Sequence, residues 1–208
     1  MIIGVDFDNT LACYDQLFHR LALERGWVMP NSPANKTAVR DALRGNGQEQ
    51  DWITLQGLAY GSRISEAPAF AGALTFFKKA AAQGVELYVV SYKTKRPVSG
   101  DDVDLHHAAA AWLTQKQFLE NPQTGLAREH VFFEETKALK LARITSLGCD
   151  HFIDDLPEFL AEPVFPAHAQ KWLFDPSGNA PQATIGNVKA CDSWQALTMA
   201  LIGPLIGA

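Results

Sequence analysis

Asp6 and Asp8 sit two residues apart at the end of an apolar run, Met1-Ile2-Ile3-Gly4-Val5, and Asn9 and Thr10 follow them. Uninterrupted Ile and Val read as a strand covered on both faces, and ligands of open parallel sheets lie beyond the carboxyl ends of such strands. Period-two alternation puts both carboxylates on one side of the backbone and Phe7 on the other. Two like charges held that close repel unless a cation or a shared proton relieves them, and a hard cation such as Mg²⁺ prefers oxygen ligands of this kind. The competing reading is an Asp-rich turn in which Asn9-Thr10 opens a loop or caps a helix.

The elements that must position these acids alternate in kind along the chain. Residues 14–68 read as short helices and loops, with Leu17, Leu21, Leu23, Trp52 and Leu55 as apolar positions and Pro30, Asn31, Ser32 and Pro33 as breakers; this stretch is expected to be a small helical cap over the site. A helix over 69–82 carries Phe70, Leu74 and Phe77 and stops before Gly84. Strands are predicted over 85–90, 131–133, 151–153 and 171–174, with helices over 104–119 and 135–147 and a last helix capped by Asp192 or Ser193. Such alternation predicts a doubly wound, Rossmann-like, mostly parallel α/β sheet with right-handed crossovers. The core domain would comprise 1–13 and 69–208, with the cap inserted after the first strand.

At 208 residues, 47% hydrophobic and 20% charged, the chain has material for one main domain plus a small insertion. A formal charge of -5 and the lack of a Lys/Arg cluster interleaved with aromatics argue against nucleic-acid binding. Cys13, Cys149 and Cys191 form no CxxC, so neither a disulfide framework nor a zinc knuckle is expected, and a reducing cytoplasm is the expected compartment. No secretory leader is read at the N-terminus. The apolar run 196–208 is short and broken by Gly203 and Pro204, which predicts a docked helix and no membrane association. The sequence sets no oligomeric state.

Four element ends carry polar residues in one chain order: Asp6, Asp8 and Thr10; Ser91; Lys137 or Lys140; Asp154 and Asp155. In that order the chain resembles the haloacid dehalogenase-like (HAD) hydrolase superfamily, over the sheet domain but not over the insertion or the C-terminal part. The resemblance implies that Asp6 is a nucleophile forming an aspartyl-phosphate, and that Asp8 protonates the leaving-group oxygen and then activates water. Thr10 would orient the loop by the phosphate. It also implies Mg²⁺ held by Asp6, the Asp8 backbone carbonyl and Asp154, with Asp155 acting directly or through water. Ser91 and the motif lysine would bind phosphoryl oxygens. Lys137 has the positive end of its helix in its favour, whereas the spacing of Lys140 from Asp154 suits the resemblance better. The implied activity is Mg²⁺-dependent phosphomonoester hydrolysis of a small phosphorylated metabolite. Alternatives are a phosphotransferase or phosphomutase, and a low-activity regulatory module that binds Mg²⁺ and phosphate. The second acid, Asp8, points to the phosphotransfer branches, because the dehalogenases lack it and need no Mg²⁺.

Other polar residues read as surface or core. Lys36, the one lysine of the insertion, could be the Schiff-base lysine of a phosphonate hydrolase but reads as a surface residue in a polar loop. His106 and His107 read as a solvent-facing pair. Lys93, Lys95 and Arg96 either meet an anion beyond Ser91 or belong to a solvated loop. Arg40, Arg44 and Arg63 could touch substrate, with nothing to select one. Trp27, Trp52 and Tyr60 predict the insertion's own small core.

Overall fold

Ile2–Val5 forms β1, which pairs with β2 (Glu86–Tyr92) on one side and β4 (His151–Asp154) on the other, in a computed structural model that describes residues 1–178 and 187–205. With β3 (Val131–Glu134), β5 (Gln170–Phe174) and β6 (Val188–Cys191), the sheet runs β3-β2-β1-β4-β5-β6 and every pair is parallel. Ile3 and Val5 have no exposed surface, as a central strand of a doubly covered sheet requires. Between them, a Cβ at Gly4 would come within 2.5 Å of the Phe152 ring, so this position of β1 has room only for hydrogen. The sixth strand, Val-Lys-Ala-Cys, is a half-exposed edge whose sequence carries no apolar run to announce it.

Alternate residues of the strands face two apolar layers. Leu87, Val89 and Ile153 pack with α4 (Ala73–Ala82), α5 (Leu105–Gln115) and α8 (Trp194–Leu197), while Val90, Phe152 and Leu173 pack with α6 (Lys137–Leu147) and α7 (Pro157–Leu160). Helix α4 starts four residues later than the sequence suggests, because Ala69 is still extended and bridges antiparallel to Ala12. Helix α5 ends earlier than predicted, where Gln117 turns left-handed at φ 65°. In α6 the Thr136 hydroxyl accepts from the Leu139 amide, and Gly148 at φ 64° terminates the helix. Ser193 caps α8, and the chain continues as a wider turn over Thr198–Ile202 that buries Leu201 and Ile202. The last three residues of the apolar run 196–208, residues 206–208, lie outside the described residues.

Between Tyr14 and Pro68 the chain forms α1 (Asp15–Glu24), α2 (Lys36–Gly45) and α3 (Glu49–Tyr60). It leaves and returns side by side: the Cys13 amide donates to the Pro68 carbonyl and the Phe70 amide to the Leu11 carbonyl, each at 2.9 Å. Phe18, Val39, Trp52 and Leu55 are buried in the same apolar cluster as Ile3 and Val5, so these helices are continuous with one layer of the sheet domain. Cys13, Cys149 and Cys191 are unpaired. Among the described residues no helix is long and apolar enough to cross a membrane.

The topology explains where a ligand can sit. From β1 the chain moves outward to β2 and β3, then crosses through α6 to β4 on the far side of β1. Connections therefore diverge at the carboxyl ends of β1 and β4, which is where open α/β sheets form their binding crevice. Val5 is level with both Val89 and Ile153, so Asp6, Ser91 and Asp154 emerge at one edge.

Candidate active site

Asp6 is the first residue beyond β1, buried to 5% exposure, with its amide donating to the Ile153 carbonyl at 2.8 Å. Its Oδ1 accepts from the Ser91 hydroxyl at 2.8 Å and from Lys140 Nζ at 2.6 Å. Two donors on one oxygen fix the rotation of the carboxylate. Lys140 also reaches Asp154 Oδ2 at 2.6 Å, and Asp154 Oδ1 accepts from the Leu156 amide at 2.9 Å. The two candidate lysines of α6 thus separate: Lys140, one turn in, is buried between Asp6 and Asp154, whereas Lys137 at the helix start is exposed and outside this cluster.

Oxygens of Asp6, Asp154 and Asp155 lie within 4.8 Å of one another. Burial pushes the Asp154 carboxyl up to about 7, against the pull of Lys140, and Asp6 adds to the rise. Burial likewise holds Asp155 well above its usual range, with Asp154 and Asp6 contributing repulsion. Lys140 is kept charged: burial opposes its ammonium, but Asp154 and Asp6 outweigh that and raise its pKa. Ionising all three carboxyls against one ammonium would leave excess negative charge in a buried site, and the all-oxygen donor set fits a hard divalent cation that would relieve it.

Beyond Asp6 the chain folds back tightly. The Leu11 and Ala12 amides both return to the Phe7 carbonyl, at 2.9 and 3.0 Å, and Asn9 adopts φ 56°, a left-handed conformation that asparagine tolerates better than most residues. Asp8 stands outside the three-carboxylate cluster. Its Oδ1 accepts from the Tyr14 hydroxyl at 2.7 Å, and Lys93 Nζ lies 2.7 and 3.0 Å from its two oxygens. Thr10, expected by the phosphate, has no exposed surface; its carbonyl accepts from Trp194 Nε1 at 3.0 Å, which anchors the loop to α8.

Several residues depart from their sequence reading. Lys36 is not a loop residue: Asn35 caps α2, the Lys36 amide donates to Asp15 Oδ1 at 2.9 Å, and the half-buried side chain crosses the Phe18 and Tyr60 rings at 5.8 and 5.6 Å. Lys93 is not solvated; it is 4% exposed. His106 is not solvent-facing, because Nε2 donates to the Lys93 carbonyl at 2.7 Å, while His107 is exposed. Tyr60 faces Lys93 as well as packing in the insertion. Arg44 and Arg63 are engaged in surface pairs with Glu49 and with Glu24 and Glu66. Lys93 continues the alternation of β2 one step past its end: Ser91 and Lys93 are buried while Tyr92 and Thr94 are exposed.

Two openings reach the site between the insertion and the sheet edge. One, of about 740 Å³, is lined by Asn9, Tyr14, Lys36, Arg40, Asp155 and Phe174; the other, of about 210 Å³, by Asp8, Gln56, Tyr60, Lys93 and Val98.

This sheet order, with an acid-bearing edge at the switch point, is the fold of the HAD-like hydrolases. A HAD family hydrolase from Deinococcus radiodurans R1, solved with bound phosphate and sodium, superposes with a TM-score of 0.59 at 16% identity over 98% of this chain and 96% of its own. A HAD hydrolase of family IA, variant 3, from Entamoeba histolytica gives 0.57 at 11% identity over 100% and 99%, and an L-2-haloacid dehalogenase gives 0.54 at 12% over 97% and 98%. No family model matches the sequence, and no curated protein matches it.

Proposed function

We propose that this chain is a phosphomonoester hydrolase that uses a divalent cation, Mg²⁺ by its donor set, and an aspartyl-phosphate at Asp6. The observation that carries the reading is Asp8: a second carboxyl group two residues from the nucleophile, outside the three-acid cluster that would take the cation, at the spacing an acid/base partner of Asp6 needs. Asp6, Asp154 and Asp155 would hold the cation, which when bound supplies charge neutralisation that lets an anionic nucleophile meet a phosphate. A carboxylate oxygen of Asp6 attacks phosphorus as the bond to the leaving oxygen breaks, and Asp8 gives that oxygen its proton. Water then attacks the acyl phosphate, Asp8 takes the water's proton, and inorganic phosphate leaves with Asp6 restored. Ser91 and Lys140 orient Asp6 and offer donors to the phosphoryl group. The insertion 14–68 acts as a cap that limits the site to a small phosphorylated metabolite and places Lys36 at its mouth.

Dehalogenases share this fold, and a phosphotransferase or phosphomutase would use the same residues. The deciding experiment is product release from a panel of small phosphomonoesters and 2-haloacids, with Mg²⁺ and with EDTA, for the native protein and Asp6→Asn. Phosphate release that needs Mg²⁺ and is lost in Asp6→Asn is the expected result. Halide release insensitive to EDTA would assign the dehalogenase chemistry, and metal binding without any release would favour a transferase or a regulatory module.

A further inference from the structure

The Asp8 carboxylate is engaged on both oxygens by groups from two directions. Lys93, beyond β2 in the sheet domain, spans Oδ1 and Oδ2; Tyr14, where the chain enters the insertion, donates to Oδ1. The lysine is itself held in place. Its amide donates to the Glu134 carbonyl at 2.9 Å and its carbonyl accepts from His106 Nε2 at 2.7 Å. Its Nζ lies 5.4 Å from the Phe7 ring centre and 4.9 Å from that of Tyr60. Tyr60 in turn meets the Tyr14 ring edge-on at 4.9 Å. Burying an ammonium is costly unless it has a defined partner, and here the surroundings leave Asp8 as that partner.

We propose that Lys93 and Tyr14 are positioning residues that aim Asp8 at the leaving-group oxygen, one from the sheet and one from the insertion. The proposal rests on the phosphohydrolase reading above. An acid must stand within hydrogen-bond reach of the atom it protonates, and an Asp side chain has two rotatable bonds to spoil that reach. Contacts at both oxygens remove that freedom. Neither Lys93 nor Tyr14 exchanges a proton with substrate; Asp8 gives one to the leaving oxygen and later takes one from water. Because Tyr14 and Tyr60 belong to the insertion, the aim of Asp8 is complete only when the insertion is seated on the sheet edge.

The test compares two substrates that differ in their need for an acid. p-Nitrophenyl phosphate expels a stable anion, whereas glycerol phosphate expels an alkoxide that must be protonated. Lys93→Met keeps an apolar stem between Phe7 and Tyr60 and is expected to lower kcat/KM, which reports the steps up to departure of the leaving group, about 100-fold on glycerol phosphate but less than about threefold on p-nitrophenyl phosphate. Tyr14→Phe is expected to show the same asymmetry at smaller size, and it decides the matter if Lys93→Met does not fold. Equal losses on both substrates, or none on either, overturn the proposal and leave the hydrolase reading intact. If the native protein releases no phosphate from either in Mg²⁺, the hydrolase reading falls and this proposal with it.

Discussion

Lys36 shows how much a single side chain can narrow the chemistry. Burial pushes its ammonium toward the neutral amine, but the Tyr60 hydroxyl and the Asp155 and Asp8 carboxylates push the other way, and its pKa ends above the ordinary lysine value. A Schiff-base lysine attacks as the free amine, so a lysine kept charged is poorly matched to that role and well matched to an anionic substrate. Lys36→Met is expected to raise KM about tenfold, the equivalent of about 1.4 kcal/mol of binding, with kcat changed less than about twofold in initial-rate measurements. Asp8 gives the complementary expectation. Its carboxylate stands outside the Asp6, Asp154 and Asp155 cluster, so Asp8→Asn should abolish turnover while calorimetric Mg²⁺ affinity changes less than about threefold.

At the scale of elements, the seat of α3 on the loop after β2 is set by close approach. A Cβ on Gly57 would lie 2.0 Å from the Ser99 carbonyl oxygen, and Gln50 and Thr54 of the same helix each meet Ser99 Oγ at 3.1 Å. Gly57→Ala must force backbone from backbone and is expected to cost about 2 kcal/mol in urea unfolding. An unchanged midpoint would mean that α3 is not held against this loop. The strands β1 to β5 and the helices α4, α5, α6 and α8 were legible because each carries its own apolar period or its own stop signals, such as Thr136 before α6 and Gly148 after it, whereas the single turn of α7 was not. Edge strand β6 was not, because half-exposed Val188–Cys191 has little apolar period to show.

For the whole molecule, the buried acids tie stability to pH and to metal. In the unfolded chain Asp154 and Asp155 titrate near 3.8, whereas in the fold burial raises Asp154 to about 7 and Asp155 well above its usual value. Between those values the folded, cation-free protein binds more protons than the unfolded chain, so its stability falls as pH rises through that window. In EDTA the Tm is therefore expected to be lower at about pH 8 than at about pH 5. Mg²⁺ at a hundredfold excess over Kd is expected to raise the Tm at the higher pH by about 5–10 °C. A Tm indifferent to Mg²⁺ would argue against a cation at these three acids.

Asp6, Asp8, Ser91, Asp154 and Asp155 could be picked out along the chain because each stands at or near the end of a strand, in an order that matches the resemblance, whereas Lys140 was set above Lys137 by that resemblance alone. Their convergence follows from parallel pairing, which brings strand ends to one edge. What no local pattern records is the meeting of the insertion with that edge. Lys93 reaches an acid 85 residues away, and Tyr14, Lys36 and Tyr60 face Asp8 and Asp155 only because three helices pack into the same apolar layer as β1. Side-chain period is a property of a few consecutive residues, whereas the closing of one packed layer over another depends on shape complementarity across the whole chain.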